Sequence, residues 1–291
     1  MRSPNFWGMA VRAPSGDVEL RAEPFRSVTR RSRLFRLPII RGALSLGETL
    51  WLGMKALTLS TNIALGEEEE LSTKEIAGTM LFALVLGFGL FLVAPVLATK
   101  GLGALAGTGI ENPVLFNLIE GAIRIGIFIL YIVGITWISK DIKRFFAYHG
   151  AEHKAIKVYE RGEDLVPENS HKLDTSHVRC GTSFVLYVLV LSILVFSLLG
   201  VEGWLYMLAS RVIVIPLVAG IAFEFIMWSA RNEKNSLVKI LVWPGLQMQR
   251  LTTREPSDDM VEVAMASLKK VLSMEEQAKI EPNEATNKLV I

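Results

Sequence analysis

One cysteine and four histidines are all that 291 residues offer of the side chains best suited to a transition metal. A single cysteine excludes an intrachain disulfide framework, so the fold must be held by packing and polar contacts alone. Charge is also missing in places: 78–98 and 182–200 contain no Asp, Glu, Lys or Arg. The first 30 residues lack an apolar core run, which argues against a cleavable signal peptide. The glycine-rich stretch 101–109 lacks the Gly-Lys-Ser/Thr ending of a phosphate loop and reads as a close-packed turn. The acidic run Glu67 to Glu70 lacks the spaced oxygen ligands of an EF-hand and reads as a solvated loop. Only one aromatic, Phe35, falls among Arg30, Arg31, Arg33 and Arg36, so the N-terminal arginines suit an anionic lipid surface better than a run of stacked bases. Sequence-specific nucleic-acid binding is not expected.

Half of the residues are apolar, and they are clumped. Four runs, 78–98, 115–139, 182–200 and 204–228, approach or exceed the roughly 20 apolar residues that a helix needs to cross a bilayer. The formal net charge of +2 says little, but its distribution is informative. Lys and Arg crowd the N-terminal part, the 140–181 loop and the C-terminal tail, whereas the loops 99–114 and 201–203 hold only Lys100 between them. The positive-inside rule then places both termini and the 140–181 loop in the cytoplasm of a multi-pass cell-membrane protein.

The predicted fold is mainly α, a polytopic helical membrane protein with about four transmembrane helices. Residues 1–33 form a cytoplasmic hairpin region, with strands over 9–13 and 18–21 around the turn Pro14-Ser15-Gly16-Asp17. Residues 34–73 form an amphipathic or re-entrant helix. Residues 74–139 hold the first transmembrane pair, 140–181 the His/Cys loop, 182–228 the second pair and 229–291 a helical tail. In that tail Pro244-Gly245 is expected to break a short apolar run. Ser257 caps a last helix with the apolar stripe Met260, Val263, Ala264 and Leu268, a stripe that fits a partner or its own domain equally. From Gln277 onward the chain is expected to be disordered.

The chemistry gathers in one tenth of the chain. All four histidines and the cysteine lie between His149 and Cys180. His149 and His153 are four apart, which puts both imidazoles on one face of a helix that continues from the second span. Glu152 lies beside that face, and His-Gly-Ala-Glu-His fits the His-x-x-Glu-His pattern of one zinc-protease class. His177 and Cys180 are three apart, with Cys180 at a predicted helix N-terminus that favours its thiolate. His149, His153, His177 and Cys180 are thus candidate ligands for zinc or a similar divalent metal, with Glu152 a candidate general base. His171 lies in a loop, 165–174, predicted to be mobile, and is not assigned to the metal. A metal-free alternative uses Cys180 as nucleophile with His177 or His149 as base.

Four charged residues fall inside apolar runs: Glu120, Arg124, Arg211 and Glu224. Charge at membrane depth marks a paired interior site or a transport path by default. Glu120 and Arg124 are four apart and can pair, Arg211 lies at a depth similar to that of Arg124, and Glu224 lies near the His/Cys loop.

The strings Tyr148-His149-Gly150-Ala151-Glu152-His153-Lys154, Arg179-Cys180-Gly181-Thr182-Ser183-Phe184, Pro244-Gly245-Leu246-Gln247 and Leu251-Thr252-Thr253-Arg254-Glu255-Pro256, in that order, resemble the YqhQ-like family of bacterial multi-pass membrane proteins, a domain of unknown function. The resemblance covers most of 9–270. It implies the family's label of metal-dependent enzyme and no established activity. Members usually carry a lead before the Met-Arg-Ser-Pro that opens this chain, so the chain is expected to begin inside that motif. Where members often have His-Pro, this chain has His177-Val178, which spares the candidate ligand.

Two classes of function compete. The first is a membrane protein with a cytoplasmic-side His/Cys metal site, a metal-dependent hydrolase in its enzymatic form. The second is an oligomeric channel or scaffold, with an anion path lined by Arg124 and Arg211 and a basic face that docks on lipid, a cytoplasmic protein or a ribosome. A continuous polar lumen would favour the second, and pairing inside one chain the first.

Overall fold

The computed structural model describes residues 1–65, 73–107, 110–199 and 203–280. Strands β1 (Phe6–Arg12) and β2 (Val18–Pro24) pair antiparallel, from Phe6 opposite Pro24 to Arg12 opposite Val18. Both run longer than the alternation alone suggests. Gly16, at φ 93°, closes the turn in a backbone region that side chains disfavour. Trp7, Met9 and Val11 alternate onto one face and pack with Leu52, Ala56, Leu59 and Ile63 of helix α1 (Ile40–Leu65). The other face receives the C-terminal helix α9 (Asp258–Ile280) so closely that a Cβ on Gly8 would stand 2.7 Å from Val271.

Among the described residues three helices are long and apolar enough to cross a membrane: Ala77–Leu105, Pro113–Ile138 and Leu205–Arg231. The first consists of α2 (Thr73–Phe88) and α3 (Ala94–Leu105) joined by a π turn, Gly89–Val93. The others are α4 (Pro113–Ile138), capped by the Asn112 side chain on the N–H groups of Val114 and Leu115, and α7 (Trp204–Arg231). The fourth expected span is shorter. Helix α6 (Gly181–Ser197) has 17 residues, about 26 Å at 1.5 Å per residue.

Other expectations are corrected. The helix bearing the histidines does not continue from α4. Ser139 is extended (φ −107°, ψ 125°), and its side chain caps a separate helix, α5 (Lys140–Glu160). The first half of the 140–181 segment is thus helix α5, in keeping with the helical spacing of His149 and His153. The 165–174 segment is a packed turn, with a 3-10 turn at Pro167–Ser170 and Leu173 buried in a cluster with Ala151, Ala155, Val261 and Met265. Gly101 and Gly103 lie in α3, not in a turn, whereas Gly109 and the run Glu67 to Glu70 lie outside the described residues. Pro244-Gly245 does not break the tail run, because α8 (Ser236–Thr252) passes through it. Gly245 is required there, since a Cβ would press on Tyr187 and Ser183, and the Tyr187 hydroxyl donates to the Val242 carbonyl at 3.2 Å. The stripe of α9 packs on its own domain through Val261, Val263, Ala264, Met265 and Leu268. That helix extends past Gln277 to Ile280, and 281–291 lie outside the described residues.

Candidate metal centre

The four sequence motifs converge on the N-terminal end of α6. Gly150 makes this possible: a Cβ there would collide with the Arg254 carbonyl oxygen, so only glycine lets the segment after α8 lie against α5. The Arg254 N–H donates to the Phe146 carbonyl at 2.9 Å across that contact. The same approach carries the Thr252 carbonyl to His149 Nδ1, at 2.8 Å. The Thr175 carbonyl takes the equivalent position on His153 Nδ1, at 2.6 Å.

A carbonyl can only accept, so both Nδ1 atoms carry hydrogen and both Nε2 atoms are turned to the other side. There they meet Cys180. Its sulfur lies 3.3 Å from His149 Nε2, and one donor atom from each of His149, His153 and Cys180 falls within 4.8 Å of the others. Cys180 is the N-cap of α6, and its Sγ accepts from the Thr182 N–H at 3.4 Å. Burial pushes this thiol up, but hydrogen bonds and positive charge from His149 and His153 outweigh burial and bring it from 9.0 to about 5. For His149 burial lowers the pKa, but the hydrogen bond to Cys180 and its thiolate charge more than compensate, so the net shift is upward. Thiolate and imidazolium hold each other in their charged forms.

His177 stands beside this group but not in it. Its ring centroid is 5.7 Å from that of His153. Its Nδ1 accepts from the Arg179 N–H at 3.3 Å, and its Nε2 faces Glu160 at 3.2 Å. Burial, then the charges of His153 and Lys157, lower its pKa to about 4, so it is neutral and donates to Glu160. Gln249, fully buried, clamps the His177 backbone from both sides, with its Oε1 on the N–H and its Nε2 on the carbonyl, each at 2.8 Å. Glu152 is exposed and lines a cavity of about 490 Å³ with His149, His153, Ile156, Cys180 and Leu268. His171 pairs with Asp258 at 2.8 Å, away from the donor group.

The sequence motifs include Thr252 and Thr253 without assigning them a role, and they leave out Gln249 and Thr175. Thr252 and Thr175 act through backbone carbonyls, which every residue has. Lys154, 2% exposed, is held by Glu255 and so fastens the last motif to the first.

The charges within the apolar helices separate into two groups. Glu120 accepts from Arg124, and its other oxygen lies 3.5 Å from Arg211. Arg211 also donates to Asn117 Oδ1 at 3.1 Å, and Arg124 to Ser192 Oγ at 3.4 Å. Both guanidiniums lie over the Phe196 ring, at 5.8 Å for Arg124 and 5.0 Å for Arg211. Glu224 instead pairs with Arg41 of α1, with Nε to Oε1 at 2.8 Å. That pair sits where Gly42 and Gly220 bring the two helix backbones into contact.

These features define a mainly helical protein with three membrane-length helices among the described residues and a largely buried His/His/Cys cluster at the end of an apolar helix. The chain belongs to the family described as protein of unknown function (DUF1385), whose profile matches residues 37–274. It is 30% identical over 279 residues to the "Uncharacterized protein YqhQ" of Bacillus subtilis (strain 168), covering 91% of this chain and 86% of that protein. No solved structure matches it.

Proposed function

We propose that this chain is an integral, multi-pass protein of the cell membrane that binds one zinc-class ion through His149 Nε2, His153 Nε2 and Cys180 Sγ. The observation that carries the reading is the pair of Nδ1 contacts. Metal-ligating histidines characteristically give their second nitrogen to a carbonyl or carboxylate, which fixes the tautomer and aims the ring. Both histidines here do so, and both aim at the same sulfur.

Three protein ligands leave a fourth position, the arrangement of catalytic rather than structural zinc sites. A bound ion would lower the pKa of a water in that position. Glu152, on the cavity wall and with no ion-pair or hydrogen-bond partner among the described residues, is the base available to take its proton. The reaction class is metal-dependent hydrolysis. The distribution of Lys and Arg supports a cytoplasmic location for this centre and for both termini.

The competing channel or scaffold reading has less support. Arg124 and Arg211 are buried within one chain on either side of Glu120, the pairing that a lumen lining would not need. Elemental analysis of the purified protein tests the metal reading. About one zinc-class ion per chain is expected, abolished by His149→Ala or His153→Ala and retained in Glu152→Gln. Folded protein isolated without chelators and carrying no metal would refute it.

A further inference from the structure

The arginines after the hairpin take no part in the metal centre. Ser27 and Val28 open a short 3-10 turn, Val28–Arg30, that docks on Glu48 of α1. The Ser27 hydroxyl lies 2.9 and 3.0 Å from the two Glu48 oxygens, and Arg2 reaches the same carboxylate at 3.0 Å. The buried Glu48 charge is therefore already matched. Arg26, Arg31 and Arg33 remain, of which Arg26 and Arg31 line one groove. Both are exposed, and neither side chain has an ion-pair or hydrogen-bond partner among the described residues.

These two cations stand at a groove of about 560 Å³ between the turn and α1, with Phe25, Leu44 and Trp51 among its walls. Gly47 also lines it, and a Cβ there would meet nothing within 4 Å. Beyond the groove Leu50, Trp51, Met54 and Leu57 lie exposed along α1, 41–59% accessible, while Leu52 of the same helix is buried against the hairpin. One end of the feature is cationic and unpaired. The other is an apolar stripe that no described residue covers.

We propose that this groove binds one anionic phospholipid, its phosphate on Arg26 and Arg31 and an acyl chain passing Gly47 onto the Leu50, Met54 and Leu57 stripe. Guanidinium groups suit phosphate because they offer paired donors in a plane. A free phosphate would use the arginines alone. A lipid uses both ends, which is why the lipid is the occupant that fits.

The test compares melting of the purified full chain in a neutral detergent with added phosphatidylglycerol, phosphatidylcholine or inorganic phosphate. Phosphatidylglycerol should raise the melting temperature by about 3–5 °C over phosphatidylcholine, as a ligand of the folded state does. Inorganic phosphate should not. Arg26→Gln with Arg31→Gln should lose the difference. Gly47→Leu, which fills open space and leaves every charge in place, should lose it too. Equal response to the two lipids, a full response to inorganic phosphate, or an undiminished response in a folded Gly47→Leu protein would each overturn the proposal. Metal content should be the same in all these variants, so failure here is separable from failure of the metal centre. Native mass spectrometry of the same variants, reading retained lipid, gives a second measure that does not depend on melting.

Discussion

Gly150 of α5 lies directly against the Arg254 carbonyl, and this contact sets the distance between the ligand helix and the carbonyl that orients His149. Gly150→Ala should force the two apart, destabilise the fold by about 1–3 kcal/mol as overpacking does, and lower metal content. Gly126→Ala, in the same family of helices but with open space around its Cβ, is the control and should change neither. Thermal melting and metal stoichiometry read both.

Cys180 should titrate far from an ordinary thiol. In metal-free protein its thiolate absorbance near 240 nm, taken as the difference from Cys180→Ser, should fall with a midpoint near pH 5. The folded-state pKa lies below the ordinary 9.0, so the stability this group supplies is whole above that value and is lost as pH falls through about 5. A midpoint above 8 would show that the histidines do not hold the thiolate.

His177 distinguishes a three-ligand from a four-ligand site. Both of its nitrogens are engaged, with Arg179 and Glu160. His177→Ala should therefore weaken metal binding by no more than the 10–100-fold typical of outer-shell groups, whereas His153→Ala should abolish it. Complete loss in both would make His177 a ligand. Binding at all three ligands should weaken as pH falls through the histidine range, because protons compete for the same lone pairs.

Glu120 serves two buried arginines, so the three charges sum to +1. Glu120→Gln would strand two like charges and should cost about 3–5 kcal/mol. Arg211→Gln leaves a matched pair and should cost less. Melting in detergent ranks them, and anion flux through liposomes that changes in Arg124→Ala protein of unaltered stability would favour the channel reading.

Topology is open to labelling. A cysteine introduced at Glu163, in a Cys180→Ser background, should resist an impermeant maleimide applied to intact cells and react after lysis. Reaction from outside would move the His/Cys region to the other face.

The spacing of His149 and His153, the cap position of Cys180 and the Glu120–Arg124 pair could all be read from the chain, because helical geometry fixes them within one or two turns. Arg211 joining Glu120 could not, since it depends on how α4 and α7 meet. The carbonyls of Thr175 and Thr252 left no mark, because sequence records side chains and not the backbone groups that come to rest beside them. The break at Ser139 did leave one: a serine followed two residues later by Asp141 is an N-terminal signal, masked by the apolar run before it. At α8 the tertiary fit of Gly245 under Tyr187 overrode the breaking tendency of Pro244-Gly245.

The single extended residue Ser139 has a mechanical meaning. It makes α4 and α5 two levers with a joint between them rather than one long rod. A change in the angle between α4 and α5 would fall on the backbone of that residue. The imidazoles of α5 are aligned instead by the carbonyls behind them, Thr252 for His149 and Thr175 for His153.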